Sequence, residues 1–481
     1  MSENATVTLT RTGYAGAVTL NVTGLPAGVT ADPLTIGAGA DSGTLVLRST
    51  AAAVLGSSAM ATVTGDGSGA MKSAMVQVYV QGPHGSLDTT FGTGGKAIVP
   101  LGTATNGDSV HGVVVMQNGD IVAVGGGSNA TGAFGGAIAL TPAGQVDTSM
   151  FNQGKHVGVY TGGSNMADHF FAATLQPDGK ILAAGFAGIG GQSHFYLLAR
   201  FTTLGVLDTS FGLNSSGFNV TDFDPAAGDD AKAYNLAVKP DGSIVAGGFY
   251  ATSAATFGTT ARYTSAGTLV GRLPAVPPTF QAAVGARADN SVIAVGVQGT
   301  GLGIARYTAA DGIDTTFGNG TGATTAVLRN AGSDIPGSII VLPDNKFYVG
   351  AYTKNGTNYE AALARFTDAG TLDTTFAGGT GFVTTPTNSP TNWDKIAPTA
   401  LLPDGSVVLA YTLAGTTNDF AWVHVKADGT IDGASNVVST DFASGSDFVG
   451  AVTVQPDGRI VLAGTAAANG RNNFAVARYW P

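Results

Sequence analysis

The chain has 481 residues, of which only 11% are charged and 72 are glycine. Hydrophobic residues make up 44%, which excludes a disordered chain, and the net charge of −10 argues against a nucleic-acid partner because phosphate binding requires basic patches. Cysteine is absent, which excludes disulfides, cysteine-ligated zinc and a cysteine nucleophile.

The N-terminal segment, residues 1–82, alternates apolar and polar residues between turns such as "GLPAG". This pattern predicts about seven short strands that form a small β-sandwich. The phrase "GLPAGVTADP" resembles immunoglobulin-like modules of bacterial surface proteins, which implies a spacer or stalk; a ligand-binding module is the alternative. The sequence has neither a signal-peptide pattern nor an apolar run long enough to span a bilayer. We therefore expect a piece of a longer exported protein, located outside the cell or at its surface.

Residues 83–481 repeat one hairpin turn, seen in "QPDGK" at 176–180, seven times. The last turn position is Gly in five units and Asn in two: Gly119, Gly179, Gly242, Asn290, Asn345, Gly405 and Gly458. Gly adopts a positive φ freely and Asn tolerates it best among the other residues. We therefore expect the same left-handed backbone conformation at all seven positions.

Each turn joins two nearly continuous apolar runs, such as "GVVVM" and "IVAVGG", which are typical of strands buried on both faces. A third strand such as "LLARF" (197–201) follows, and a fourth comes after the element "LDTTFG", first seen at 87–92. Sheets of this size bury both faces when they pack face to face around an axis. The predicted fold is all-β, with a seven-bladed β-propeller of four-stranded blades over residues 83–481.

The order of the elements also predicts how this propeller closes. The first "LDTTFG" has no hairpin before it, and the last unit ends after its third strand, at Tyr479 and Trp480. A strand near residues 87–100 is therefore expected to complete the last blade, which removes two exposed sheet edges. An open solenoid of stacked sheets is the alternative.

The elements "LDTTFG", "QPDGKILAAG" and "LLARFTTLG" resemble the bacterial delta-60 repeat family over about residues 84–481. The resemblance implies a propeller-like fold in large exported or surface proteins, and it implies no catalytic residues. Residues 268–312 depart from the pattern, because "TLVGRLPAVPP" replaces "LDTTFG", so an irregular blade edge is expected there.

An aspartate recurs at the entry to the first strand of most units, eleven residues before the turn position. The set comprises Asp108, Asp168, Asp334, Asp394 and Asp447, with Asp230 one residue earlier in its unit. If the first strand is innermost, these carboxylates circle one mouth of the channel and are candidate ligands for a hard cation such as calcium. The alternative is structural: each carboxylate accepts backbone N–H groups and starts its strand.

Arginine recurs on the apolar third strand, at Arg200, Arg262, Arg306, Arg365 and Arg478. A charge in so apolar a strand requires a partner, and we expect ion pairs with the aspartate of the turn or of "LDTTFG". The six histidines lack the spacing of a zinc site. In the least regular loops, His169, Trp393 and Asp394 are candidate ligand-binding residues, because binding residues concentrate in such loops.

Together these patterns predict a non-catalytic binding or scaffold protein that presents propeller loops to a glycan or protein partner. The isolated chain is expected to be a monomer, with calcium as the candidate cofactor. Two alternatives remain open: a propeller hydrolase or lyase with a calcium-assisted site at the channel mouth, and a purely structural surface repeat protein.

Overall fold

The computed structural model describes residues 2–102, 107–129, 132–160, 166–189, 193–223, 230–252, 255–275, 280–329, 333–389, 397–432 and 437–481. In these ranges the regular elements are strands, apart from three single 3₁₀ turns at Leu213–Ser215, Gly318–Gly320 and Ala377–Gly379. This part of the chain contains no helix with the length and hydropathy of a membrane span. The chain divides into two compact units, residues 1–90 with Trp480 and residues 91–479 with Pro481.

The first unit contains seven strands in two sheets. The strands are β1 (Ser2–Thr8), β2 (Val18–Thr23), β3 (Val29–Ala31), β4 (Leu34–Ile36), β5 (Ser42–Ser49), β6 (Ser58–Gly67) and β7 (Ala70–Tyr79). The sheet orders are β1-β5-β3 and β4-β2-β6-β7. Val18, Leu20 and Ile36 form its core, and Val7 from the other sheet packs against them. The unit continues to residue 90, because Gly85 donates to Trp480 O at 3.1 Å and Trp480 N donates to Ser86 O at 3.0 Å.

The second unit is built from four-stranded antiparallel sheets. The strands are β8 (Lys96–Val99), β9 (Ser109–Val115), β10 (Ile121–Asn129), β11 (Gly132–Leu140), β12 (Lys155–Gly158), β13 (Met166–Ala167), β14 (His169–Leu175), β15 (Ile181–Ile189), β16 (Ser193–Phe201), β17 (Phe218–Thr221), β18 (Asp230–Val238), β19 (Ile244–Ala251), β20 (Thr256–Tyr263), β21 (Leu269–Arg272), β22 (Phe280–Ala286), β23 (Val292–Gln298), β24 (Gly301–Tyr307), β25 (Ala323–Ala326), β26 (Ile335–Val341), β27 (Phe347–Asn355), β28 (Asn358–Phe366), β29 (Phe382–Ser389), β30 (Thr399–Leu401), β31 (Val407–Ala414), β32 (Asn418–Val425), β33 (Val438–Thr440), β34 (Asp447–Val454), β35 (Ile460–Ala468) and β36 (Arg471–Tyr479).

In each sheet, consecutive strands along the chain are neighbours, and in the last sheet β8 takes the fourth place. The orders are β9-β10-β11-β12, β14-β15-β16-β17, β18-β19-β20-β21, β22-β23-β24-β25, β26-β27-β28-β29, β30-β31-β32-β33 and β34-β35-β36-β8. A single parallel pair, His194 with Asp230, joins β16 to β18, and β13 adds to β11. The segment around "TLVGRLPAVPP" supplies β21, so this sheet has a fourth strand although the "LDTTFG" element is missing.

Strand β8, from the start of the second unit, lies in the sheet of the last three strands. It pairs antiparallel with β36, and Ala97 lies opposite Val476. The Arg478 N–H donates to Gly95 O at 3.0 Å and extends this contact. The strand predicted near residues 87–100 is therefore a short one, Lys96–Val99, and its partner is the final strand of the chain.

The predicted left-handed turn conformation is confirmed at all seven positions, with φ between 66° at Asn290 and 90° at Gly119. In the turn of the second repeat, Gly179 N donates to Gln176 O at 2.9 Å, and the Asp178 carboxylate accepts Lys180 N at 3.2 Å. The Asp side chain therefore closes the turn locally, and only a residue that tolerates positive φ completes it.

The predicted arginine pairs are confirmed where the "LDTTFG" element is present. Arginine Nε donates to the aspartate of that element at Arg200–Asp208 (2.8 Å), Arg306–Asp314 (2.6 Å) and Arg365–Asp373 (2.9 Å). Arg262, whose unit lacks the element, pairs with Asp311 of the next unit. Hydrogen bonds from Ser210 and Lys180, together with the charge of Arg200, hold the pKa of Asp208 far below its usual range although burial acts to raise it.

Candidate sites in the repeat unit

Four of the predicted aspartates are buried caps at the start of a first strand, with exposed fractions of 0–1%: Asp108, Asp168, Asp334 and Asp447. Each accepts a backbone N–H at 2.8 Å from the chain that precedes it, respectively from Leu101, Tyr160, Leu328 and Phe442. The other carboxylate oxygen binds the end of the second strand, through Gly188 N, Thr353 Oγ1 or Ala467 N in the last three cases. These hydrogen bonds are the ones expected from the structural alternative, in which each carboxylate accepts backbone N–H groups and starts its strand.

Burial raises the pKa of Asp168 and Asp334, against the hydrogen bonds that stabilise the charged form. Among the described residues, neither Asp168 nor Asp334 belongs to a group of three possible metal ligands. Of the predicted aspartates that the structure describes, only Asp447 belongs to a group of three possible metal ligands.

The remaining predicted site residues differ from these caps. Asp230 has a side chain that is 40% exposed and accepts His194 Nδ1 at 2.6 Å, with Lys232 Nζ at 3.7 Å. Trp393 and Asp394 lie outside the described residues. His169 begins β14 and is partly buried.

Asp447 forms an acidic triad with Asp419 and Asp441, in which the oxygens that face one another lie within 4.8 Å. Asp419 is the second residue of β32, Asp441 follows β33, and Asp447 begins β34. Burial raises the pKa of Asp447 to about 6 against hydrogen bonds from Phe442 and Ala467, and the charges of Asp441 and Asp419 add to the increase. Among the described residues, no donor lies within hydrogen-bond distance of the buried Oδ1 of Asp419.

Carboxylate oxygens held at this spacing are the donors that calcium prefers, and a cation between them would relieve both their mutual repulsion and the unsatisfied oxygen. The residues present therefore fit a calcium ion. Asp441 Oδ1 also accepts Ala443 N and Ser444 N, which fixes the carboxylate of the most exposed member.

His169 belongs to a second cluster, which we call the aromatic belt: His111, His169, Phe171, Phe186 and Tyr234. The ring centroids lie 5.0 Å apart for His111–His169, 5.2 Å for His111–Phe171, 4.8 Å for Phe171–Tyr234 and 5.5 Å for Phe171–Phe186. All five side chains are partly exposed. Burial lowers the pKa of His111 to about 4, so its imidazole is neutral at physiological pH.

The belt is built on β-bulges. The pairing of the first strand with the second skips one residue in each of six sheets, namely His111, Phe171, Tyr234, Ala282, Gly337 and Gly450. Every skipped residue lies eight positions before the turn residue of its unit. A bulge re-aims its extra side chain out of the regular alternation of the strand. Three consecutive sheets thus carry a ring side chain at this place, and the other three carry only Ala or Gly.

Glycine on the second strand lies opposite five of these six bulges, and Ala351 occupies the equivalent position in the pair of β26 and β27. A Cβ at Gly185 would overlap the carbonyl oxygen of His169, and a Cβ at Gly248 would overlap that of Lys232. Both glycines lie six positions after their turn residue, as do Gly125, Gly296 and Gly464. This recurring glycine is visible in the sequence and predicts the bulges on which the belt is built. It is not among the predictions made from the sequence above.

Comparison with known protein families finds a match within the repeats of the second unit. A family model, Domain of unknown function (DUF5122) beta-propeller, matches residues 176–211, 342–376 and 455–481. A search of curated protein sequences found no relative. Each matched segment begins within a residue of its "PDG" or "PDN" turn and covers the third strand.

Several solved structures match this chain at low identity and low TM-score. A catalytically inactive virginiamycin B lyase from Staphylococcus aureus with quinupristin has a TM-score of 0.44 and 11% identity, over 79% of this chain and 98% of that chain. Sqt1 from Chaetomium thermophilum has a TM-score of 0.42 and 13% identity, over 80% and 98%. A glycosyl hydrolase from Bacteroides ovatus has a TM-score of 0.32 and 13% identity, over 64% and 83%. The strand topology of this chain and the repeat segments matched by the family model show that it is an all-β repeat protein with the β-propeller fold.

Proposed function

We propose that residues 91–479 form a closed ring of seven four-stranded blades. The first strand of each sheet contacts the first strands of both neighbouring sheets, and β34 contacts β9. A Cβ at Gly450 on β34 would overlap the carbonyl oxygen of Val110 on β9, so the two backbones are in close contact. The pairing of β8 with β36 supports the same ring, because it joins the start of the second unit to the last strand of the chain.

We propose that the protein with this ring is a non-catalytic binding protein that acts outside the cell or at its surface. It binds a glycan at the mouth of the ring where the first strands begin. The observation that carries the proposal is the aromatic belt. A sequence that repeats its turns, caps and bulges places rings at three bulges and the smallest residues at the other described bulges. The repeat architecture itself does not require this asymmetry.

The chemistry of the belt favours a sugar ring. Partly exposed aromatic side chains offer flat apolar faces, and a few polar groups beside them provide orientation, as in most small-ligand sites. Lys232 Nζ lies 4.8 Å from the centroid of Phe186, and the His194–Asp230 pair lies at the same strand starts. These groups supply donors and an acceptor for sugar hydroxyls next to the apolar faces.

The test is a glycan array with the wild-type chain and the Phe171→Ala/Tyr234→Ala variant, each with and without calcium. We expect wild type to bind a limited set of glycans and the variant to lose at least about tenfold in affinity, equivalent to 1.4 kcal/mol. Phe257→Ala is the matched control, because Phe257 is a 46% exposed aromatic outside the belt. The proposal is contradicted if the wild-type chain binds no glycan. It is also contradicted if the chain binds a protein partner that does not compete with glycan.

The acidic triad favours a second candidate, a hydrolase or lyase that uses calcium bound by Asp419, Asp441 and Asp447. Calcium titration followed by the melting temperature separates the two functions. A calcium-assisted enzyme requires saturable binding of about one ion, a higher melting temperature and turnover of a bound glycan. A purely structural repeat protein predicts none of these three results.

A further inference from the structure

The turn ends of four consecutive first strands surround a cavity of about 670 Å³, which we call the turn cavity. It lies between β14, β18, β22 and β26, of which β14 and β26 begin next to the buried caps Asp168 and Asp334, and β14 and β18 carry the belt residues Phe171 and Tyr234. The aliphatic side chains of its lining are Leu175, Leu236, Val238, Val284, Ile339 and Val341. Leu175, Val238, Ile339 and Val341 are only partly buried, so apolar surface faces the cavity.

Glycine at residue 285 lets the β22 and β26 walls of this space approach each other. Gly285 on β22 lines the cavity, and a Cβ there would lie 2.6 Å from a methyl group of Val341 on β26. Ala237 and Ala286 occupy the neighbouring lining positions on β18 and β22. The combination of short and branched residues leaves a volume that falls in the range of small-molecule sites, roughly 300–1,000 Å³.

Each of the two basic residues of the lining pairs with an aspartate that also pairs with a second arginine, Arg262 at Asp311 and Arg306 at Asp368. Lys239, 2% exposed, lies with its Nζ 3.2 Å from Asp311 Oδ1. Arg287, 5% exposed, donates to Asp368 Oδ1 at 2.7 Å. A charged group on a ligand would therefore lose its hydration without gaining an unpaired counter-charge from these residues, which is unfavourable.

Three uncharged polar residues complete the lining: Thr174, Gln176 and Asn235. Asn235 Oδ1 accepts Val284 N at 3.3 Å, which fixes the side chain against the neighbouring sheet. Amide and hydroxyl groups next to the aliphatic side chains of the lining orient a ligand through a small number of hydrogen bonds.

We propose that the turn cavity is a binding site for a neutral small molecule with an apolar body and one or two hydrogen-bonding groups. The site lies on the turn side of the glycan site proposed above, because Thr174 and Asn235 follow the belt residues Phe171 and Tyr234 along β14 and β18. A ligand of about 15–25 non-hydrogen atoms suits the volume.

The probe for this site is N-phenyl-1-naphthylamine, a neutral aromatic amine whose fluorescence rises in apolar surroundings. We expect a saturable 1:1 increase with the wild-type chain, and we expect the anionic 8-anilino-1-naphthalenesulfonate to bind at least tenfold more weakly. Ala286→Trp fills the cavity and should reduce affinity for the neutral probe at least tenfold. Leu204→Trp, at a position that is 61% exposed on a surface turn, is the matched control and should bind as wild type.

If Ala286→Trp fails to fold, Val341→Thr provides the second test, because it keeps the shape of the side chain and adds one hydroxyl to a partly exposed wall. We expect a severalfold loss of affinity for the neutral probe and a slightly lower melting temperature, because Val341 packs against a buried core. Non-saturable fluorescence with wild type, tighter binding of the anionic dye, or unchanged binding in a folded cavity variant overturns the proposal.

Discussion

Arg306 and Asp314 form a pair in which Nε donates to Oδ2 at 2.6 Å, and the guanidinium carbon of Arg306 lies 4.8 Å from the centroid of Phe317. Both partners come from one repeat. The same guanidinium donates to the backbone oxygen of Asp368 in the next repeat at 3.1 Å. The arginine thus connects the third strand, the "LDTTFG" element and the neighbouring sheet.

The first prediction concerns this pair. Arg306→Leu should lower the free energy of unfolding by about 2–3 kcal/mol, because it leaves the mostly buried carboxylate of Asp314 without its cation. Urea unfolding measures the change. Lys426→Ala, which removes the Lys426 partner of Asp432 at a half-exposed site, is the control and should leave the midpoint nearly unchanged. A loss below about 0.5 kcal/mol for Arg306→Leu contradicts the connecting role.

The second prediction concerns the turn residue Gly405, whose φ is 85° and whose Cβ position meets no atom within 4 Å. Gly405→Ala should destabilise the chain by about 1 kcal/mol through backbone conformation alone. Gly405→Asn should cost less, because Asn290 and Asn345 adopt this conformation in two other turns. Thermal unfolding of the two variants compares them directly, and equal losses would argue against a conformational cause.

The third prediction tests the pairing of β8 with β36. Ala97→Cys with Val476→Cys should oxidise to an intramolecular disulfide, because the two residues are directly opposite and the chain has no other cysteine. Ile98→Cys with Val476→Cys is the control. It shifts the pairing by one residue and turns one thiol to the opposite face of the sheet, so no disulfide is expected. Free-thiol titration of the two double variants distinguishes these outcomes.

The fourth prediction concerns the acidic triad. Because the pKa of Asp447 is raised to about 6, the folded state binds its proton more tightly than the unfolded state does. The stabilising contribution of the protonated form is fully present below about pH 4 and is lost as pH rises through about 6. Without calcium, wild-type stability should therefore fall over this interval.

Asp419→Asn removes one of the charges that raise this pKa. It should weaken the pH dependence and increase stability at pH 7–8 by about 1 kcal/mol, a figure reduced for solvent screening. It should also remove the calcium-dependent rise in melting temperature. At pH 3.5, where Asp447 is largely protonated, wild type and variant should differ little. A variant less stable than wild type at pH 8 would indicate that Asp419 has a structural role.

The sequence predicted the elements whose causes are local. A positive φ at Gly179 or Asn345 depends on two or three neighbouring residues, and the Arg200–Asp208 pair joins residues eight apart in one repeat. The aspartate caps were located at the strand starts for the same reason. Whether Asp168 faces the channel or accepts backbone N–H groups depends on Tyr160 and Gly188, and the strand pattern alone left both alternatives open.

Repetition of short local patterns therefore determined the strand units, their turns and their internal ion pairs, since each needs only neighbours along the chain. Contacts between sheets determined the sites. The carboxylates of Asp419 and Asp447 meet because two sheets pack together, and the rings of His111, Phe171 and Tyr234 meet because an extra residue in each of three strands redirects one side chain. The turn cavity likewise exists only between strands that are far apart in the sequence, because its shape is set by the packing of four sheets and not by any one of them.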